Sequence, residues 1–138
     1  MKIFALRLHP NQDLRPALKA FAIAHELQAA FILSAIGSFK QVALRFADQS
    51  SSTVWQGRYE LLSLQGTLSV HGLHLHLAIA DAQGQAFGGH LTDGCIIYTT
   101  AEIIIGASDD FVFQRRPDAQ TGFLELEVES SSALKPQG

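Results

Sequence analysis

Leu73-His74-Leu75-His76-Leu77-Ala78-Ile79 alternates a large apolar residue with a polar or small one at every step. A period of two is the mark of a half-buried β-strand, whose side chains point to opposite faces in turn. The leucines and Ile79 fall on one face, and His74 and His76 fall together on the other. Working outward, the same reading gives strands at Thr53–Leu64, Thr67–Val70, Gln85–Leu91, Ile96–Gly106, Phe111–Arg115 and Gly122–Glu129, separated by Gly, Asp and Ser turn signals. Ala29–Ile36 is a nearly continuous apolar run, suited to a strand covered on both faces. Gly37-Ser38 is expected to break it before a further strand at Gln41–Ala47, and Ile3–Leu8 opens the chain as another strand. One helix stands out. Asp13 is its expected N-cap, Pro16 is tolerated in its first turn, and Leu14, Ala17, Leu18 and Phe21 form its buried stripe before it fades near Glu26. The fold class is therefore α+β, a two-layer arrangement of a mainly antiparallel β-sheet packed against one or two helices.

The chain has 138 residues, 47% hydrophobic and 17% charged. That length suits one domain, assigned to residues 1–130, with 131–138 expected to be a flexible tail. The apolar content excludes a disordered chain. The charge content is below the roughly 25% of an average globular protein, which hints that part of the surface is covered by another subunit. A formal net charge of −3 argues against a broad cationic footprint for nucleic acid or anionic lipid. A single cysteine, Cys95, forms no internal disulfide and fits a reducing, cytoplasmic compartment. No apolar run reaches the 18 or so residues of a membrane span.

Four of the six histidines lie between positions 71 and 90. On a pleated face, His74 and His76 stand roughly 6–7 Å apart, close enough to share one metal ion. His90, after Gly88-Gly89, would complete a three-histidine set with an open fourth position, the pattern of catalytic rather than structural zinc. Geometry sets a condition. If Asp81-Ala82-Gln83-Gly84 is a four-residue loop, His90 lies opposite Leu75 and points into the leucine core. A bulge or an odd-length loop must shift the register by one residue, and Gly88-Gly89 is the candidate bulge. A neighbouring subunit could also bring the ligands together. Equally, a His-x-His pair on a strand can be no more than a polar solvent face. His9, His25 and His71 read as surface or turn residues.

Glu60 and Glu102 are acidic residues inside apolar strands and are the candidate general acids or bases, with a plain salt bridge to Arg58, Arg45 or Arg7 as the alternative. Cys95 carries no activating signature and reads as a packing residue. Arg115-Arg116-Pro117 is the one basic cluster, a weak claim on phosphate.

Several separated motifs, in order, resemble the plants and prokaryotes conserved (PPC) domain. They include Leu6-Arg7-Leu8 with Pro10 and Asp13-Leu14, Ile32 to Ser38, Ala43-Leu44-Arg45 and Gly57 to Thr67. Leu73 to Leu77, Ala80-Asp81, Gly84, Gly88-Gly89-His90-Leu91 and Tyr98 to Glu102 complete the match, which runs from about Ile3 to Ser108. Where the family usually has Gly-Glu after the proline, this chain has Asn11-Gln12. The resemblance implies a homotrimer with a fold similar to acetolactate decarboxylase, a metal-dependent lyase with a three-histidine site. It also implies zinc on the histidines matching His74, His76 and His90, as in some stand-alone prokaryotic members, with water or a small oxyanion at the open position. A reaction on a small oxo-acid is the enzymatic alternative. Plant members join the domain to AT-hook motifs and act in chromatin. Here Arg115-Arg116-Pro117 lacks the Arg-Gly-Arg-Pro core that reaches into an A/T-rich minor groove, so direct DNA binding is not expected.

Overall fold

The computed structural model describes residues 1–134 of the chain. Its elements are β1 (Lys2–Leu8), α1 (Leu14–Ala24), β2 (Ala30–Arg45), β3 (Thr53–Ser69), β4 (Gly72–Ala80), β5 (Ala86–Leu91), β6 (Ile96–Ala107), β7 (Phe111–Pro117) and β8 (Leu124–Ser130), followed by a 3-10 turn at Ser131–Leu134. The tail expected from residue 131 thus begins with a helical turn, and residues 135–138 lie outside the described residues. Among the described residues, no helix is long and apolar enough to cross a membrane.

Six strands form one sheet in the order β1-β6-β2-β3-β4-β5, and every pairing is antiparallel. One helix and a mainly antiparallel sheet give the expected α+β class. The long β2 bends far enough for its last residues to pair with β5 as well, Leu44 with Leu91 and Arg45 with His90. That second pairing closes β2-β3-β4-β5 on itself at one end.

The apolar face of this sheet and the helix make one core. Leu14, Leu18 and Ala22 are fully buried at four-residue spacing and belong to the same cluster as Leu75, Leu77, Ile79, Leu91, Ile103 and Ile105. The leucine side of the decisive stretch is therefore inside and its histidine side outside. Asp13 occupies the N-cap position, but its carboxylate makes no capping bond. It accepts a hydrogen bond from the Gly94 N–H instead, at 2.8 Å, and so ties the helix start to the β5–β6 connection. At the other end His25 is the C-cap, with its ring against Phe21 and Phe4.

Two expected breaks are absent. β2 runs through Gly37-Ser38, and β3 runs through Gly66. Gly37 is paired with Leu61 on one side and Ala101 on the other, and a Cβ there would collide with the Thr100 carbonyl oxygen. Its glycine serves close approach between central strands rather than a turn.

Candidate metal centre

The β4–β5 hairpin decides where His90 points. Its loop has an odd number of residues: Ala80 pairs with Ala86, so Asp81–Gln85 forms the turn. The Asp81 carboxylate accepts the N–H groups of Gln83 and Gln85, both at 2.9 Å, and Gly84 takes a φ of 79°. From this turn the register runs evenly to His76 opposite His90. The condition set by the sequence is thus met by loop length, without the bulge expected at Gly88-Gly89. Gly88 has another duty, because a Cβ on it would strike the Leu77 carbonyl oxygen across the strand pair.

Directly opposed residues share a face. His76, His90 and Arg45 therefore form a row across β4, β5 and the end of β2, with Gln65 of β3 extending it beyond His76. His74 stands beside this row, opposite Thr67. Ring centroids are 5.1 Å apart for His74–His76, 5.2 Å for His74–His90 and 5.7 Å for His76–His90. One nitrogen from each ring lies within 4.8 Å of the other two. Three imidazoles converge on one point within a single chain, with no second subunit required.

The electrostatics at His90 and His74 favour uncharged rings. Desolvation, and then the Arg45 guanidinium, draw the pKa of His90 down to about 4. His74 is lowered as well, by desolvation first and then by Arg115, while the Glu125 carboxylate opposes the shift. A metal competes with protons for the imidazole lone pair, so rings already neutral near pH 7 are ready ligands. The donor set fits zinc, which takes histidine nitrogens and keeps an open position when only three protein ligands are present.

A cavity of about 660 Å³ opens beside the triad, lined by His74 and His90, by Arg15, Arg45 and Arg115, and by Leu73, Phe123, Leu124 and Glu125 among others. Its far wall is the β7–β8 hairpin. Val112 of that hairpin is buried, Phe113 donates its N–H to the Gln28 carbonyl, and the Ser69 hydroxyl donates to the Phe113 carbonyl at 2.8 Å. Arg115 donates to the Thr67 hydroxyl at 2.7 Å. Its neighbour Arg116 is paired with Glu127 and Glu129, so both side chains of the basic cluster are engaged within the chain.

Glu60 and Glu102 do not line this cavity. Glu60 is exposed on β3 opposite Ala80, at the far end of β4 from the histidines, and Glu102 is exposed on β6 opposite Arg7. The acidic residue at the cavity is Glu125 on β8. Cys95 is buried, with its thiol against the backbone of Ala43 and its pKa raised to about 11 by burial, as suits a packing residue.

Known proteins extend this picture. A family model described as the Plants and Prokaryotes Conserved (PCC) domain matches residues 1–109, which leaves the β7–β8 hairpin outside the match. A protein of Synechococcus sp. (strain JA-3-3Ab) named bifunctional protein GlmU is 49% identical over 99% of this chain, yet the match covers 22% of that longer protein. AT-hook motif nuclear-localized protein 16 of Arabidopsis thaliana is 32% identical over 82% of the chain and 46% of its own length. Among solved structures, a hypothetical protein from Salmonella superposes with a TM-score of 0.91 at 43% identity, covering 94% of both chains. A metal-containing protein from Archaeoglobus fulgidus superposes with a TM-score of 0.75 at 27% identity, covering 92% of this chain and 94% of its own.

Proposed function

The chain belongs to the Plants and Prokaryotes Conserved domain family, and from that membership we propose that it is a homotrimeric metal-binding module holding zinc on His74, His76 and His90. The observation that carries the reading is the approach of three imidazole nitrogens to within 4.8 Å of one another. The depressed pKa of His90 supports it, as does the likeness to an archaeal protein described as metal-containing. Adding zinc to metal-free protein is expected to raise the melting temperature through binding linkage, by an amount equivalent to ~2.7 kcal/mol at a hundredfold excess over the dissociation constant. His74→Ala is expected to lose that response. A parent protein whose melting is indifferent to zinc would remove the metal reading.

A second reading, a metal-dependent enzyme acting on a small oxo-acid, draws on the half-buried Glu125 at the cavity. Zinc bound there would polarise a carbonyl or lower the pKa of bound water. The chain's own contribution would be a carboxylate to hold a proton, and Glu125 takes that role rather than Glu60 or Glu102. The chain spans about a fifth of the GlmU relative and under half of the AT-hook relative, so neither lends it a whole activity. A net charge of −3 and the internal pairing of Arg116 give no support to duplex binding.

A further inference from the structure

We propose that the histidine cavity takes a small monocarboxylic acid, its carboxylate clamped between Arg45 and Arg115 beside the metal position. This rests on the metal reading for the ligand's placement, and on the arginines for its charge.

Two half-buried guanidiniums flank the triad. Arg45 stands on the β2 side, directly opposite His90, and Arg115 reaches the β3 side, where it meets Thr67 opposite His74. The third arginine of the cavity, Arg15, is spent on Asp93 at 3.2 Å. Arg45 and Arg115 are different. Arg45 donates to the Gln49 carbonyl at 3.1 Å and Arg115 to the Thr67 hydroxyl, both neutral acceptors. Among the described residues neither forms an ion pair. A guanidinium carries five N–H donors in a fork that matches a carboxylate, and desolvating it without an anion is costly. Arg45 and Arg115 thus line the same cavity as His74 and His90.

The rest of the lining narrows the ligand. With a divalent ion on the triad, Arg45 and Arg115 outweigh Glu125, so charge calls for an anion and the choice among anions falls to the apolar lining. Leu73, Phe123 and Leu124 offer an apolar wall for a short hydrocarbon body. Arg115, Phe123, Leu124 and Glu125 all come from the β7–β8 hairpin, beyond the stretch that matches the family model. One arm of the clamp and two of the three apolar wall residues therefore lie outside that match.

Cobalt(II)-loaded protein gives a visible spectrum that reports ligands at the metal, and isobutyrate is a suitable probe. It is expected to shift the cobalt bands and raise the melting temperature, whereas its neutral isostere isobutyramide does neither and inorganic phosphate binds more weakly. Arg45→Gln and Arg115→Gln are each expected to weaken isobutyrate at least about tenfold with the cobalt spectrum retained, and Arg115→Lys to recover part of the loss. Failure to acquire a cobalt spectrum sinks the metal reading alone. In that case the clamp is judged on metal-free protein, where isobutyrate must still raise the melting temperature and Arg45→Gln must abolish the rise. No rise in either form, an equal response to isobutyramide, tighter phosphate binding, or arginine variants that bind as the parent does would each overturn the proposal.

Discussion

Burial of His90 and the guanidinium across the strand pair hold its imidazole neutral, with a pKa near 4 against an ordinary value of 6.5. Between those two pH values the unfolded chain takes up a proton that the folded chain refuses. Stability is therefore intact above about pH 6.5 and is lost as the pH falls toward the folded value. His74 shifts in the same direction and adds to the effect. The melting temperature of metal-free protein is thus expected to fall between pH 7 and pH 4.5, and His90→Gln is expected to flatten that fall. Parallel curves for the two proteins would place the acid sensitivity elsewhere, though not on Asp13, whose raised pKa predicts no such loss. Burial is the main cause of that rise, and one of its carboxylate oxygens is buried without a partner. A carboxyl whose pKa is raised on folding costs stability near neutral pH and regains it on protonation, so its slope has the opposite sign.

At the next scale, the β4–β5 hairpin turns loop parity into chemistry. Because side chains alternate with a period of two, adding or removing one loop residue moves His90 from the solvent face to the leucine face. Deleting Ala82 leaves a four-residue loop, and the expected outcome is loss of the zinc response with destabilisation of about 2–3 kcal/mol from an imidazole pressed into an apolar core. Deleting Ala82 and Gln83 together restores an odd loop and is expected to restore the zinc response. Thermal melts with and without zinc check both, and a single deletion that keeps the response would refute the parity argument. The same hairpin shows what sequence reading reaches. The facing of His74 and His76 is local, set by alternation along one strand, and was legible. The facing of His90 depends on a turn whose length is fixed by side chain to backbone bonds from Asp81. An Asp opening a Gly-containing loop was the available signal for a wider turn. Gly37 and Gly66 were misleading, since glycine in a central strand marks close approach as readily as a turn. Arg115 stood out only within a basic cluster and Arg45 only as a salt-bridge candidate, and Glu125 carried no local signal. Strand pairing and the docking of β7 gather them, and both are long-range events.

For the whole molecule, the question is what covers the apolar residues that the sheet turns outward. Leu33, Ile36 and Leu62 are 48%, 60% and 53% exposed. Leu33 and Leu62 each sit where the strand register slips, between Ile32 and Ser34 in β2 and between Leu61 and Ser63 in β3. An extra residue at a bulge re-aims a side chain, and here two bulges on adjacent strands present leucines that line one shallow depression. Leucines held outward by such irregularities are poor choices for a face left in water, and they fit an interface between copies. With the homotrimer that the family resemblance implies, a chain of 15.0 kDa is expected to sediment at about three times that mass at micromolar concentration. Leu62→Asp places a charge in the proposed interface and is expected to yield the single-chain species. Because His74, His76 and His90 converge within one chain, that variant is expected to keep its zinc response after dissociation. A parent that sediments as a single chain would remove the trimer. A dissociated variant that no longer responds to zinc would show instead that the metal site draws on a neighbouring copy.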